Sequence, residues 1–67
     1  MQSEFDLILA SIRAGAYDER KNLLKGEMTA KQRLIKITNE LFLQKKLTGD
    51  ETYKLMEEWT KRQEHFN

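Results

Sequence analysis

Neither cysteine nor proline occurs in this chain of 67 residues, which has only three glycines and one histidine. Without cysteine no disulfide can reinforce the fold, and one histidine cannot supply the set of ligands that a structural zinc site needs. A catalytic dyad or triad needs a nucleophile and a base held rigidly together, whereas His65 lies two residues from the C-terminus. We therefore expect no metal, no cofactor and no enzymatic activity.

Long apolar runs are also missing, since none approaches the ~20 residues of a membrane-spanning helix. The first residues lack the basic and apolar regions of a signal peptide, and the lack of cysteine fits a reducing compartment. These absences predict a cytoplasmic protein that does not contact a membrane. The Lys- and Glu-rich composition without proline suggests a bacterial or phage origin.

The length of the chain allows one domain, residues 1–67, with a thin core. A chain of this size buries only about 60% of the surface that it exposes when unfolded, and such a core rarely supplies more than ~3–5 kcal/mol. The composition, 39% hydrophobic and 34% charged with a formal charge of +1, is typical of a charged helical domain. Because neither a disulfide nor a metal reinforces it, we expect it to associate with a second copy or with another protein.

Helix boundary signals are frequent along the chain. A hydroxyl residue followed three positions later by an acid or Gln, the pattern of a helix N-cap, occurs at Ser3–Asp6, Thr29–Gln32 and Thr48–Glu51. Gly15, Gly26 and Gly49 each fall where an apolar helical pattern stops. The signals predict helices at about 4–14, 17–25, 30–47 and 50–65, and nothing indicates a strand. The predicted fold is all-α, a small bundle of three to four helices built from helical hairpins.

The first predicted helix is apolar on two sides. One stripe consists of Phe5, Ile8, Leu9, Ile12 and Ala16, and a second, nearly opposite, consists of Leu7, Ala10 and Ala14. A helix with two apolar sides needs two neighbours, and the second neighbour could be the second helix or a copy of the first helix from another subunit. On the third predicted helix, Leu43 projects away from a stripe formed by Ala30, Leu34, Ile37, Leu41 and Phe42. We predict Leu7, Ala10, Ala14 and Leu43 as partner-binding residues.

The last predicted helix is amphipathic. Its apolar side is predicted to contain Tyr53, Met56, Trp59, Thr60, Gln63 and Phe66, and its other side to be charged. Acids that precede bases by four residues predict ion pairs within this helix at Asp50–Lys54, Glu57–Lys61 and Glu58–Arg62.

The charges are distributed unevenly along the chain. Residues 1–19 carry one base and four acids, residues 20–46 eight bases and two acids, and residues 47–67 three bases and five acids. The acidic ends could fold beside the basic middle and neutralise it. Alternatively, the middle could bind the phosphate backbone of a nucleic acid, with affinity that falls steeply with salt. The residues predicted for that alternative are Lys31, Arg33, Lys36, Lys45 and Lys46.

The stretch from Leu41 to Glu57 resembles the helical hairpins called short C-terminal domains of bacterial proteins. Leu47 and Thr48, the acids that follow them and Tyr53 match the Leu-Thr turn, acids and aromatic of those hairpins in kind. The spacing from Thr48 to the aromatic is one residue longer here, and the glycine follows Thr48 where the hairpins have it before the leucine. The resemblance implies an association hairpin.

These observations predict a small non-catalytic protein–protein interaction module of the adaptor, inhibitor or regulator type, which also self-associates. A nucleic-acid-binding transcriptional regulator that uses the basic central segment is the alternative.

Overall fold

A computed structural model describes residues 3–19 and 29–65 of the chain. It shows an all-helical protein with three helices in those ranges, α1 (Glu4–Arg13), α2 (Ala30–Leu43) and α3 (Gly49–Glu64), and no strand within them. The predicted helix 17–25 is wrong at its start, because residues 17–19 lie in a turn. Its remaining residues, 20–25, lie outside the described ranges.

All three predicted N-caps are confirmed. The hydroxyl of Ser3 accepts a hydrogen bond from the backbone N–H of Asp6. At Thr29 and Thr48 the capping box is complete, since the side chain of the residue three positions later, Gln32 or Glu51, also accepts from the backbone N–H of the cap. Each box satisfies two backbone donors that a helix start leaves without a partner inside the helix.

The glycine signal is correct at the end of α1. Gly15 has a φ of 91° in the left-handed region, its N–H donates to Ile12 O, and the N–H of Ala16 donates to Ser11 O. These two bonds form the Schellman motif, in which the residue after the C-cap is commonly glycine because a Cβ is disfavoured there. Gly26, the second predicted helix end, lies outside the described residues.

The end of α2 corrects the sequence prediction. The helix stops at Leu43, four residues before the predicted end, and Lys45 takes the left-handed position with a φ of 62°. The N–H of Lys45 donates to Phe42 O and that of Lys46 to Leu41 O, which is again the Schellman pattern. Gly49 does not end a helix, because it is the first residue of α3. The tight turn brings Leu47 back against the core, where only 3% of it is exposed.

The core lies where α3 packs against both α1 and α2. It is a cluster of buried apolar side chains from all three helices and the α2–α3 turn, namely Ile8, Ile12, Leu34, Leu47, Leu55 and Trp59. Phe5, Leu9, Tyr17, Leu41 and Met56 pack around it. Phe5, Ile8, Leu9 and Ile12 of the predicted α1 stripe thus face the core, whereas Ala16, its last predicted member, lies beyond the end of α1 and is exposed.

The buried side of α3 differs from the predicted one. Leu55 is completely buried, whereas Tyr53, placed in the predicted stripe, is 69% exposed. Trp59 is common to both sides, and its indole Nε1–H donates to the backbone oxygen of Tyr17 at 2.7 Å. The buried side is therefore rotated toward α1 relative to the side that apolar periodicity alone selects.

None of the helices within residues 3–19 and 29–65 has both the length and the apolar character needed to cross a bilayer.

Candidate interaction surfaces

The outer side of α1 is exposed in this chain. The Leu7 residue is 47% exposed to solvent. Ala10 and Ala14, one and two turns further along, are also exposed. The α1 outer face, defined by these three residues, lies opposite Ile8 and Ile12, which are buried in the core. The structure therefore brings together three of the four predicted partner-binding residues on one helix face.

Leu43, the fourth of these residues, lies on a different surface. It is 70% exposed in the last turn of α2. Ile35, 45% exposed, and the exposed Asn39 precede it at intervals of four residues, so the three side chains lie on one face of the helix. Phe42, 46% exposed, borders the same face. We call Ile35, Asn39, Phe42 and Leu43 the α2 outer face.

A groove between α2 and α3 runs along one edge of the α2 outer face. Its volume is about 280 Å³, and its lining is mostly apolar: Ile35, Thr38, Asn39, Phe42, Gly49, Thr52 and Met56. The buried hydroxyl of Thr38 bonds back to the oxygens of Leu34 and Ile35 in its own helix, so it presents no unsatisfied donor to the groove. A partner side chain entering the groove would therefore contact mainly carbon atoms.

The five predicted nucleic-acid-binding residues are spread along α2 and its following turn. Lys31 and Arg33 lie in the first turns of α2, while Lys45 and Lys46 lie beyond its other end. The helix between them spans about 20 Å at 1.5 Å per residue. Lys36 lies between the two pairs and is exposed.

The first two of these bases contact aromatic rings of the fold. The ammonium group of Lys31 lies 5.8 Å from the centre of the Trp59 ring, and the guanidinium of Arg33 lies 5.4 Å from that of Tyr17. Arg33 also donates to the backbone oxygen of Ala16 at 3.1 Å. These contacts are within cation–π range and attach the start of α2 to the turn after α1 and to α3.

A buried carboxylate connects the turn after α1 to the end of α3. Asp18 is fully buried and receives two hydrogen bonds from Arg62, at 2.7 and 3.0 Å, and a third from Gln63 at 3.2 Å. These bonds to Asp18 raise the pKa of the Arg62 guanidinium above its ordinary value. The Gln63 side chain also accepts from the N–H of Glu19. Sequence reasoning missed this cluster because its members are 44 and 45 residues apart.

A second long-range ion pair joins the same two parts of the chain. Arg13 Nε lies 2.9 Å from Glu58 Oε1. Glu58 and Arg62 were predicted to pair with each other within α3, but each has a partner from the first 19 residues. Of the predicted helical pairs, Glu57–Lys61 is present with a separation of 3.9 Å.

Within the described ranges, no group of three or more His, Cys, Asp or Glu side chains is placed to hold a metal ion. No family model, curated protein or solved structure matches this chain.

Proposed function

We propose that this chain is a small non-catalytic module that binds another protein and also self-associates. The observation that supports the proposal is the amount of apolar surface left outside the core. Among the residues that the structure describes, six large apolar side chains are 36–70% exposed: Leu7, Ile35, Ile37, Phe42, Leu43 and Tyr53. Single exposed apolar residues are ordinary, but groups of them on one face mark interaction sites. The proposed setting is the cytoplasm.

The α1 outer face is the proposed contact with a different protein. Alanines one turn apart allow another helix to approach closely, and Leu7 at the end of the row supplies a larger apolar contact. Burial of the exposed part of Leu7 and of the adjoining alanines would provide the hydrophobic contribution. Arg13 and Glu58, at the edge of this region, would influence the choice of partner through their charges, as polar residues at an interface rim do.

Affinity capture from a lysate of the source cells tests this part of the proposal. The full chain, Leu7→Glu and Thr60→Glu would each be immobilised and the captured proteins identified by mass spectrometry. Thr60 is exposed on α3, so its variant adds the same charge away from the α1 outer face. A protein that is retained by the wild type and Thr60→Glu but lost with Leu7→Glu supports the proposal. Identical sets of captured proteins for all three would contradict it.

A nucleic-acid-binding regulator is the second candidate. The observation that favours it is that the long-range ion pairs Arg13–Glu58 and Asp18–Arg62 join the two acidic ends of the chain to each other. Lys36, Lys45 and Lys46 are exposed, outside these pairs. Against it, α3 would have to serve as the recognition helix after the α2–α3 turn, and its acids would face phosphates with the wrong sign.

Fluorescence anisotropy with labelled duplex DNA and single-stranded RNA tests this candidate. Binding through exposed lysines should weaken steeply as salt is raised, and Lys45→Gln with Lys46→Gln should reduce the slope of that dependence. The matched control is Lys54→Gln with Lys61→Gln, which removes two lysines from the exposed side of α3. An absence of binding at low salt would eliminate this candidate.

A further inference from the structure

We propose that the self-association is a two-fold symmetric dimer in which the α2 outer faces of two copies pack antiparallel, with Asn39 on the symmetry axis. The inference rests on the self-association in the proposed function and assigns it a surface and a geometry.

The α2 outer face matches its own copy. In a two-fold dimer the same patch meets itself, so residues equally spaced on either side of the axis face each other. Ile35 and Leu43 lie four residues before and four after Asn39. An antiparallel pairing about Asn39 therefore places Ile35 of each copy opposite Leu43 of the other, and both apolar residues lose water contact together.

The central residue, Asn39, has a side chain that suits a position on the symmetry axis. A side-chain amide carries both donors and an acceptor, so two Asn39 side chains facing each other across the axis can hydrogen-bond reciprocally. A carboxylate or an ammonium at this position would instead meet a like charge. A single polar amide among apolar contacts also disfavours alternative registers, which would leave it buried without a partner.

The charges beside the apolar stripe are complementary between the two copies. Lys36 precedes Asn39 and Glu40 follows it, and both are exposed on the same flank of α2. In the antiparallel arrangement Lys36 of each copy lies near Glu40 of the other, which makes two attractive pairs.

The groove beside α2 completes the fit. Leu43 is the most exposed large apolar side chain within residues 3–19 and 29–65, and it does not line the groove of its own chain. The arrangement places it against Ile35 of the other copy, and Ile35 is one of the residues that line that copy's groove. Each copy thus supplies one projecting leucine and one apolar groove, and the exchange is reciprocal.

Sedimentation equilibrium of the full chain over a range of concentrations is the main test. We expect a monomer–dimer equilibrium that Leu43→Glu shifts by about a hundredfold toward monomer, because each dimer carries the substitution twice at a central contact. Tyr53→Glu is the matched control. Tyr53 is as exposed as Leu43 but lies on α3, so its variant should dimerise like the wild type. Circular dichroism should show all three proteins equally helical.

Charge reversal tests the geometry. Lys36→Glu alone and Glu40→Lys alone should each weaken the dimer by several-fold, and the double substitution should restore it, because the pairs between copies re-form with opposite sign. The restoration should diminish with added salt.

The outcomes separate this inference from the proposed function. Dimerisation that is lost with Leu7→Glu but retained with Leu43→Glu would overturn the α2 assignment while leaving the self-association intact. A wild-type chain that stays monomeric at all concentrations would overturn both the α2 assignment and the proposed self-association. The other part of the proposed function, binding of a different protein through the α1 outer face, would be unaffected by that result. A double charge reversal without restoration would overturn the antiparallel geometry.

Discussion

Lys45→Gly should stabilise the protein, because Lys45 occupies the left-handed position that ends α2. A residue with a Cβ pays roughly 1–2 kcal/mol there relative to the right-handed region, and glycine does not. Against this gain, glycine adds about 0.4–1 kcal/mol of backbone entropy to the unfolded chain. Removing a positive charge from a helix C-terminus loses a further ~0.3 kcal/mol or more at low salt. The expected net gain is about 0.5 kcal/mol, equivalent to about 2–4 °C in Tm for a domain of this size.

Lys46→Gly is the control that isolates the conformational effect. It removes the same charge and adds the same glycine one residue further on, at a position outside the left-handed region. It should therefore destabilise the protein by about 1 kcal/mol, the sum of the entropic and electrostatic losses. The free energies of unfolding of the two variants should differ by about 1–2 kcal/mol. The entropic and charge effects largely cancel in this difference, because both variants share them.

Urea unfolding followed by far-UV circular dichroism measures this difference, with all proteins at one low concentration so that association contributes equally. Equal slopes of the unfolding free energy against urea would show that the unfolded states are comparable. If Lys45→Gly proved no more stable than Lys46→Gly, the left-handed conformation of Lys45 would carry no cost and the reasoning would be refuted.

Four further substitutions test two glycine positions and the two long-range ion pairs. Gly49→Ala should stabilise by about 0.5–1 kcal/mol in the same urea assay, because alanine is the better helix former at the first residue of α3 and an added Cβ would meet only ordinary contact; a loss of stability would show that this position is not helical. Gly15→Ala should destabilise by about 1–2 kcal/mol, since its φ of 91° strains any residue with a Cβ; an unchanged urea midpoint would contradict the Schellman end of α1. Asp18→Asn should lower the Tm more than Glu58→Gln does, because the Asp18 side chain is 1% exposed and loses its charge beside Arg62, whereas the Glu58 pair lies nearer solvent. Equal Tm losses would mean that the burial of Asp18 contributes nothing.

The starts of the helices follow from the sequence because capping is local. A hydroxyl at the N-cap and an acid or amide three residues later contact each other within a single turn, whatever the rest of the chain does. Ser3, Thr29 and Thr48 therefore marked the starts of α1, α2 and α3 correctly. The apolar stripe of α1 that contains Ile8 and Ile12 was also visible in the sequence, since these residues recur at the helical period, although Leu7, Ala10 and Ala14 form a second apolar side.

The end of α2 and the orientation of α3 depended on tertiary contacts. Gly49 suggested where α2 stops, but burial of Leu47 favours an earlier turn in which Lys45 takes the strained position. Apolar periodicity predicted that Tyr53 is buried. Instead, α3 packs against both α1 and α2 in an orientation that buries Leu55 in the core.

The sequence by itself determined the all-helical class, the three helix starts and the apolar excess of α1, because each depends on residues within a turn or two of one another. Only the tertiary structure decided which charges pair and which apolar faces stay outside. Glu58 and Arg62, four residues apart in the favourable order, pair with Arg13 and Asp18 instead, because packing α1 against α3 brings those groups within hydrogen-bonding distance and buries one of them. The α2 outer face is exposed for the same reason: the small core is filled by the opposite side of α2, and Ile35 and Leu43 remain in contact with water.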